Sequence, residues 1–204
     1  MLTRGRTARK RESVLLLWML LAGCGLYPLH PVPQPAERPT PTGTLAVADA
    51  VQAIEGLDSL RAGLAGALTT EDRPVDLATF QQVCAPVAAR ARRIAAERGW
   101  TVEQLADRYR NPAHAADPEA RTILSWMAGR PELTGVWLRT SNGSRSGIRY
   151  LRRIDVRRPC LACHGAKGER PAFVVERYPD DRAYGFEVGD LRGVYSVFIP
   201  DDRP

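Results

Sequence analysis

The run Cys160-Leu161-Ala162-Cys163-His164 constrains this chain more than any other feature. Two thiols three residues apart, with histidine directly after the second, form the attachment signature of c-type haem. The chemistry explains the spacing. The sulfurs add to the two vinyl groups along one porphyrin edge, and the imidazole then lies under the ring as proximal ligand. Other readings are a redox dithiol, which does not require the histidine, and half of a zinc site. A zinc site wants a second Cys/His pair, and the sequence has none. A covalent tether matters most outside the cytoplasm, where a dissociated haem is lost.

The N-terminus points to export. Arg4, Arg6, Arg9, Lys10 and Arg11 precede an apolar run from Val14 to Ala22, too short for a finished membrane span and suited to a signal-peptide core. The run ends Leu21-Ala22-Gly23-Cys24, which resembles a bacterial lipobox with Cys24 as the lipidated residue. Residues 1–24 are thus expected to be a lipoprotein signal ending at that cysteine. Gly25 follows it in place of an acid, which by analogy favours the outer over the inner membrane. Of the formal charge of +6, +4 sits in the first 23 residues, so no nucleic-acid footprint is expected. Six prolines between Pro28 and Pro41 make residues 25–44 an extended spacer, reaching up to ~60 Å at about 3.1 Å per residue. His30 in that spacer reads as a solvated residue. The remaining 45–204 form one domain.

Acylation of Cys24 leaves Cys84, Cys160 and Cys163, an odd number that argues against a disulfide framework. If haem occupies the last two, Cys84 needs a role. Apolar spacing predicts a helix over 46–68, from Val47 through Ile54 and Leu57 to Leu68, broken by Thr69–Pro74. A second helix, capped by Asp76 and stopped by Gly99, carries Leu77, Phe80, Cys84, Val87, Ala91 and Ile94 on one face, with Pro86 as a kink. Cys84 in that stripe is either a small buried hydrophobe or a second axial ligand facing the haem.

Trp100–Arg110 reads either as a capped helix start or as an irregular strand. Asp117-Pro118-Glu119 opens a helix with Ile123, Leu124 and Met127 on its inner side. Strands are expected at 134–140 and 147–156 around Asn142-Gly143, then a short helix at 173–177 and a last strand at 194–199. Helices followed by strands predict an α+β domain built on an antiparallel sheet.

Several segments together carry a resemblance. They are Gln82-Val83-Cys84-Ala85-Pro86, then Arg110-Asn111-Pro112-Ala113-His114 through Pro118, then the haem motif with Gly165. Tyr178-Pro179-Asp180-Asp181, Gly185-Phe186 and Gly189-Asp190-Leu191-Arg192-Gly193 follow. Over about 46–200 the chain resembles the extracytoplasmic PAS-like c-type haem domain of bacterial sensors. The resemblance implies a PAS-like fold, one covalent haem c, His164 as proximal ligand and Cys84 as the other iron ligand. His114 and Met127 are competing donors, and Arg110 or Arg192 is expected to partner the haem propionates.

These readings converge on a lipid-anchored periplasmic monohaem cytochrome in redox or gas sensing, or in electron transfer. It is expected not to be an enzyme, since six-coordinate iron leaves no open position. Its expected partner is a periplasmic redox or signalling protein. The alternatives are a peroxidase-type haem enzyme and a haem-free CxxC dithiol or metal-binding lipoprotein.

Overall fold

The first helix starts before its apolar periodicity does. In the computed structural model, which describes residues 41–67 and 75–202, α1 spans Pro41–Ala67. Proline suits a first helical position, because the N–H it lacks has no intrahelical acceptor there. The last four residues assigned to the spacer are therefore helical. The leader, Cys24, residues 25–40 and most of the break after α1 lie outside the described residues. Among the described residues no helix is long and apolar enough to cross a membrane.

Helix α2 (Leu77–Arg98) begins where expected, with the Asp76 carboxylate accepting from Thr79 N at 2.8 Å. It ends at Gly99, whose φ of 66° is the left-handed conformation that glycine adopts freely. Pro86 forfeits one backbone bond without ending the helix. The ambiguous stretch after it is a strand, β1 (Thr101–Leu105). Then come α3 (Pro118–Ala128), β2 (Gly135–Asn142), β3 (Arg145–Asp155), the short α4 (Leu161–His164) and α5 (Ala172–Arg177), and β4 (Leu191–Pro200). The hairpin is tighter than expected: Asn142 pairs with Arg145 across a two-residue loop whose Gly143 has φ 61°.

The sheet is antiparallel, in the order β1-β4-β3-β2, so the first strand lies against the last. This is the α+β, PAS-like architecture expected from the sequence. Alternation along the strands sends successive side chains to opposite faces. Tyr150, Ile154, Tyr195 and Val197 meet α1 and α2 through Ile54, Leu57, Val87 and Ile94. Leu105, Leu151 and Val194 meet α3 through Ala120, Ile123, Leu124 and Met127. Each large apolar side chain so buried contributes about 1.5–3 kcal/mol. The expected α1 stripe holds through Leu57 and again at Leu64, which packs against the core, but Leu60 is exposed. The inward row instead runs Ala46, Ala50, Ile54, Asp58, Arg61 and Ala65, so two charges enter the interior.

Arginines of β3 bracket α3. Arg149 donates to Asp117 and Glu119 at its N-terminus, and Arg153 donates to the Met127 carbonyl at its C-terminus at 2.7 Å. Four residues of strand span about 14 Å, close to the about 16 Å of an eleven-residue helix. The hydrogen bond from Arg149 holds the Asp117 carboxyl below its usual pKa. Its contribution is complete above the unfolded aspartate value of about 3.9 and is lost as pH falls through the lower folded value. Arg149→Met should therefore cost about 1–2 kcal/mol at neutral pH, less than for a fully buried pair because both carboxylates reach solvent. Urea unfolding should also show the variant losing less stability than the wild type between neutral pH and pH ~3.

Candidate functional site

Beyond β3 the chain folds into a 3-10 turn, Arg158–Cys160, that runs directly into α4. Cys160 already has helical dihedrals (φ −67°, ψ −24°), so Cys160, Cys163 and His164 stand at i, i+3 and i+4 of one turn and share a face. The turn closes tightly. Gly165 N donates to Leu161 O at 2.8 Å, and a Cβ on Gly165 would sit 2.7 Å from that same oxygen.

His164 is fixed by the segment before β4. Its Nδ1 lies 2.7 Å from Ala183 O, and a carbonyl can only accept, so Nδ1 carries the proton. Arg110 Nη2 lies 3.4 Å from the same nitrogen, but a guanidinium cannot accept, so that approach is not a hydrogen bond. Nε2 keeps its lone pair, the arrangement found in metal-ligating histidines. Burial, then Arg192 and Arg110, hold the imidazole pKa well below its ordinary value, so the ring is neutral and able to ligate. Phe186 N donates to His164 O at 3.0 Å, and the two rings meet edge to face at 6.1 Å.

A buried carboxylate anchors this contact. Asp181 accepts from Ala183 N at 2.8 Å and from Arg170 at 3.0 Å, and pairs with Arg110 at 3.5 Å. Arg110 in turn donates to Cys163 O at 2.5 Å and approaches Ala183 O at 3.4 Å. Its Nε and Nη2 thus hold Asp181 and the Cys163–His164 turn, a positioning role for that turn.

The other thiol has its own cation. Arg61 Nη1 lies 3.7 Å from Cys160 Sγ, while its Nε and Nη2 bind Asp58 at 2.8 and 2.7 Å. Asp58 is buried and also faces Arg152 and Arg157 at 3.4 and 3.6 Å. Cys84 does not join the core as a small hydrophobe; Val83 takes that place and Cys84 is reachable by solvent. It is nonetheless crowded. Burial by neighbouring atoms, then the Cys163 side chain, push its pKa up to about 11, with Arg110 and Arg61 pulling the other way. Phe80, on the same face of α2, packs on Phe173 of α5 at 5.7 Å between centroids, which turns that face toward the segment after α4.

The structure therefore gathers Cys84, Cys160, Cys163, His164 and Arg110, and adds Arg192 at the start of β4. Met127 is fully buried against α3's face of the sheet, and His114 is exposed on the 3-10 turn Pro112–His114, its ring making no hydrogen bond or ion pair among the described residues. Neither joins the group. Sequence reasoning gave no role to Asp58, Arg61, Asp181 or Ala183. The signal for the first two was present: charges at the inward spacing of α1 need buried partners. A separate polar groove of about 350 Å³ lies over α3's face of the sheet, but Arg149 in it is already paired with Asp117 and Glu119.

The Tll0287-like family model matches residues 41–200. The chain belongs to the Tll0287-like family. Among solved structures, the crystal structure of the cyanobacterial haem protein Tll0287 is 47% identical, with a TM-score of 0.68, over 78% of this chain and 98% of that one. Comparison with curated proteins finds no match. The matched span takes in every residue of the gathered group, so the Tll0287-like unit is the part of the chain that carries the site. In this member of the family, Gly165→Ala should cost about 1–3 kcal/mol in urea unfolding because its Cβ collides with Leu161 O. Gly168→Ala, with nothing within 4 Å, should stay within about 0.5 kcal/mol of wild type.

Proposed function

We propose that this protein is a monohaem c-type redox protein. Cys160 and Cys163 would hold the haem through thioethers, and His164 Nε2 and Cys84 Sγ would ligate its iron. The observation that carries the reading is the shared face of Cys160, Cys163 and His164, with His164 Nδ1 committed to Ala183 O. The family and the solved haem protein support it. Among the described residues, no group of three or more His, Cys, Asp or Glu could hold a bare metal ion. Two side-chain donors suffice when the tetrapyrrole brings four nitrogens of its own, which favours haem over a haem-free metal site.

The haem would supply one-electron chemistry at iron. The chain's residues do the rest. His164 offers a neutral nitrogen whose direction is set by the Ala183 carbonyl. Cys84 offers a sulfur whose surroundings oppose the thiolate, with a pKa of about 11. Arg110 and Arg61 act the other way on it. Redox or gas sensing and electron transfer are both roles that a haem so held would serve. With Cys84 and His164 both engaged by iron, no enzymatic role is proposed. Cys24 would anchor the domain by lipid in the periplasm, with the output passed to a partner there.

The full chain purified after export should be coloured, with one haem retained under denaturing conditions. Cys160→Ala and Cys163→Ala together should abolish that retention. Cys84→Ala should remove the low-spin thiolate signature from the ferric EPR spectrum, and an unchanged spectrum would eliminate the thiolate. Met127→Leu should leave the spectrum as it is and change stability by less than about 1.5 kcal/mol. A ferrous form that keeps its thiolate and refuses carbon monoxide would mark a fixed-ligand electron carrier instead of a sensor.

A further inference from the structure

Arg192 is a cation without a counter-ion. Its Nη1 donates to the Arg108 carbonyl at 2.9 Å, while its Nε is buried with no hydrogen-bond partner. No carboxylate among the described residues pairs with it, whereas Arg110 and Arg170 share Asp181. Its guanidinium lies 5.6 Å from the centre of the Phe186 ring, and Arg108 lies 3.9 Å from that centre. The same ring meets His164 edge to face. Arg192 thus stands beside the proposed ligand, hemmed in by positive charge. Burial, Arg110 and Arg108 together depress its pKa to about 10, despite some relief from Asp181. A guanidinium in such surroundings is costly unless an anion completes them. Arg110, the other candidate, already directs Nε to Asp181 and Nη2 to Cys163 O.

We propose that Arg192, supported by Arg108, seats a carboxylate of the bound tetrapyrrole, so that a haem propionate is the counter-ion this site lacks. The inference rests on the haem reading above. The planar fork of arginine suits a carboxylate held at two points. The seat also has an electrical consequence. A positive charge fixed near the iron disfavours the more positive ferric state and keeps the propionate ionised.

The test uses the haem-loaded full chain, comparing wild type, Arg192→Gln and Arg192→Lys by spectroelectrochemistry from about pH 5 to 9, a range above ordinary carboxyl pKa values. The wild-type midpoint potential should be flat with pH. Arg192→Gln should lower it at the alkaline end and introduce a pH-dependent step, as the propionate pKa rises into the window. Arg192→Lys should show a smaller shift of the same sign, and decides the matter alone if the Gln variant fails to accumulate. Haem-loaded variants whose profiles superimpose on wild type would overturn the proposal and leave the haem reading standing. A saturable response of the wild-type potential to added acetate would also overturn it, assigning the seat to a solute anion. A wild-type chain that carries no haem would overturn the reading beneath it.

Discussion

The site depends on one buried carboxylate. Asp181 has no exposed side-chain surface, and it gathers the Ala183 amide, Arg170 and Arg110. Through Ala183 it sets the carbonyl that receives the His164 proton, and through Arg110 it holds the carbonyl of Cys163. A four-residue helix cannot hold its own shape in water, because a single turn closes too few bonds to offset its ordering. The turn bearing Cys160, Cys163 and His164 is held from outside, by charge-assisted bonds that are stronger where water is excluded.

Buried arginines recur as connectors between layers. Arg149 and Arg153 tie β3 to the two ends of α3, and Arg152 of the same strand turns the other way to Glu55 of α1. Arg61 joins that helix to Cys160 while leaning on Asp58. Each is satisfied, and each would be expensive to leave alone. The unpaired guanidinium of Arg192 is conspicuous against this pattern, and it lies beside the group with the chemistry.

The placement of Cys84 shows how an apolar stripe can mislead. It follows helical spacing with Phe80 and Val87, which suggests the core. In the fold, α2 buries Val83 and Val87 and leaves Cys84 exposed. Its anion is disfavoured by desolvation and by the Cys163 side chain, with Arg110 and Arg61 acting the other way.

The sequence by itself determined most of the elements and the spacing of the Cys-Cys-His motif. Periodicity, caps and the Asn-Gly turn are local signals, and they placed α2, α3 and the β2–β3 hairpin nearly to the residue. The spacing of Cys160, Cys163 and His164 is also local, because one helical turn suffices to align them. Only the tertiary structure decided that Thr101–Leu105 is a strand, since a short edge strand exists by virtue of β4 beside it. Tertiary structure likewise placed Met127 and His114 away from the gathered group, set Arg110 against Asp181 and Cys163 O, and put Asp181 on the amide of Ala183, whose carbonyl faces His164. Those outcomes depend on which distant groups meet in low dielectric, where partners and not residue type fix the role of a charge.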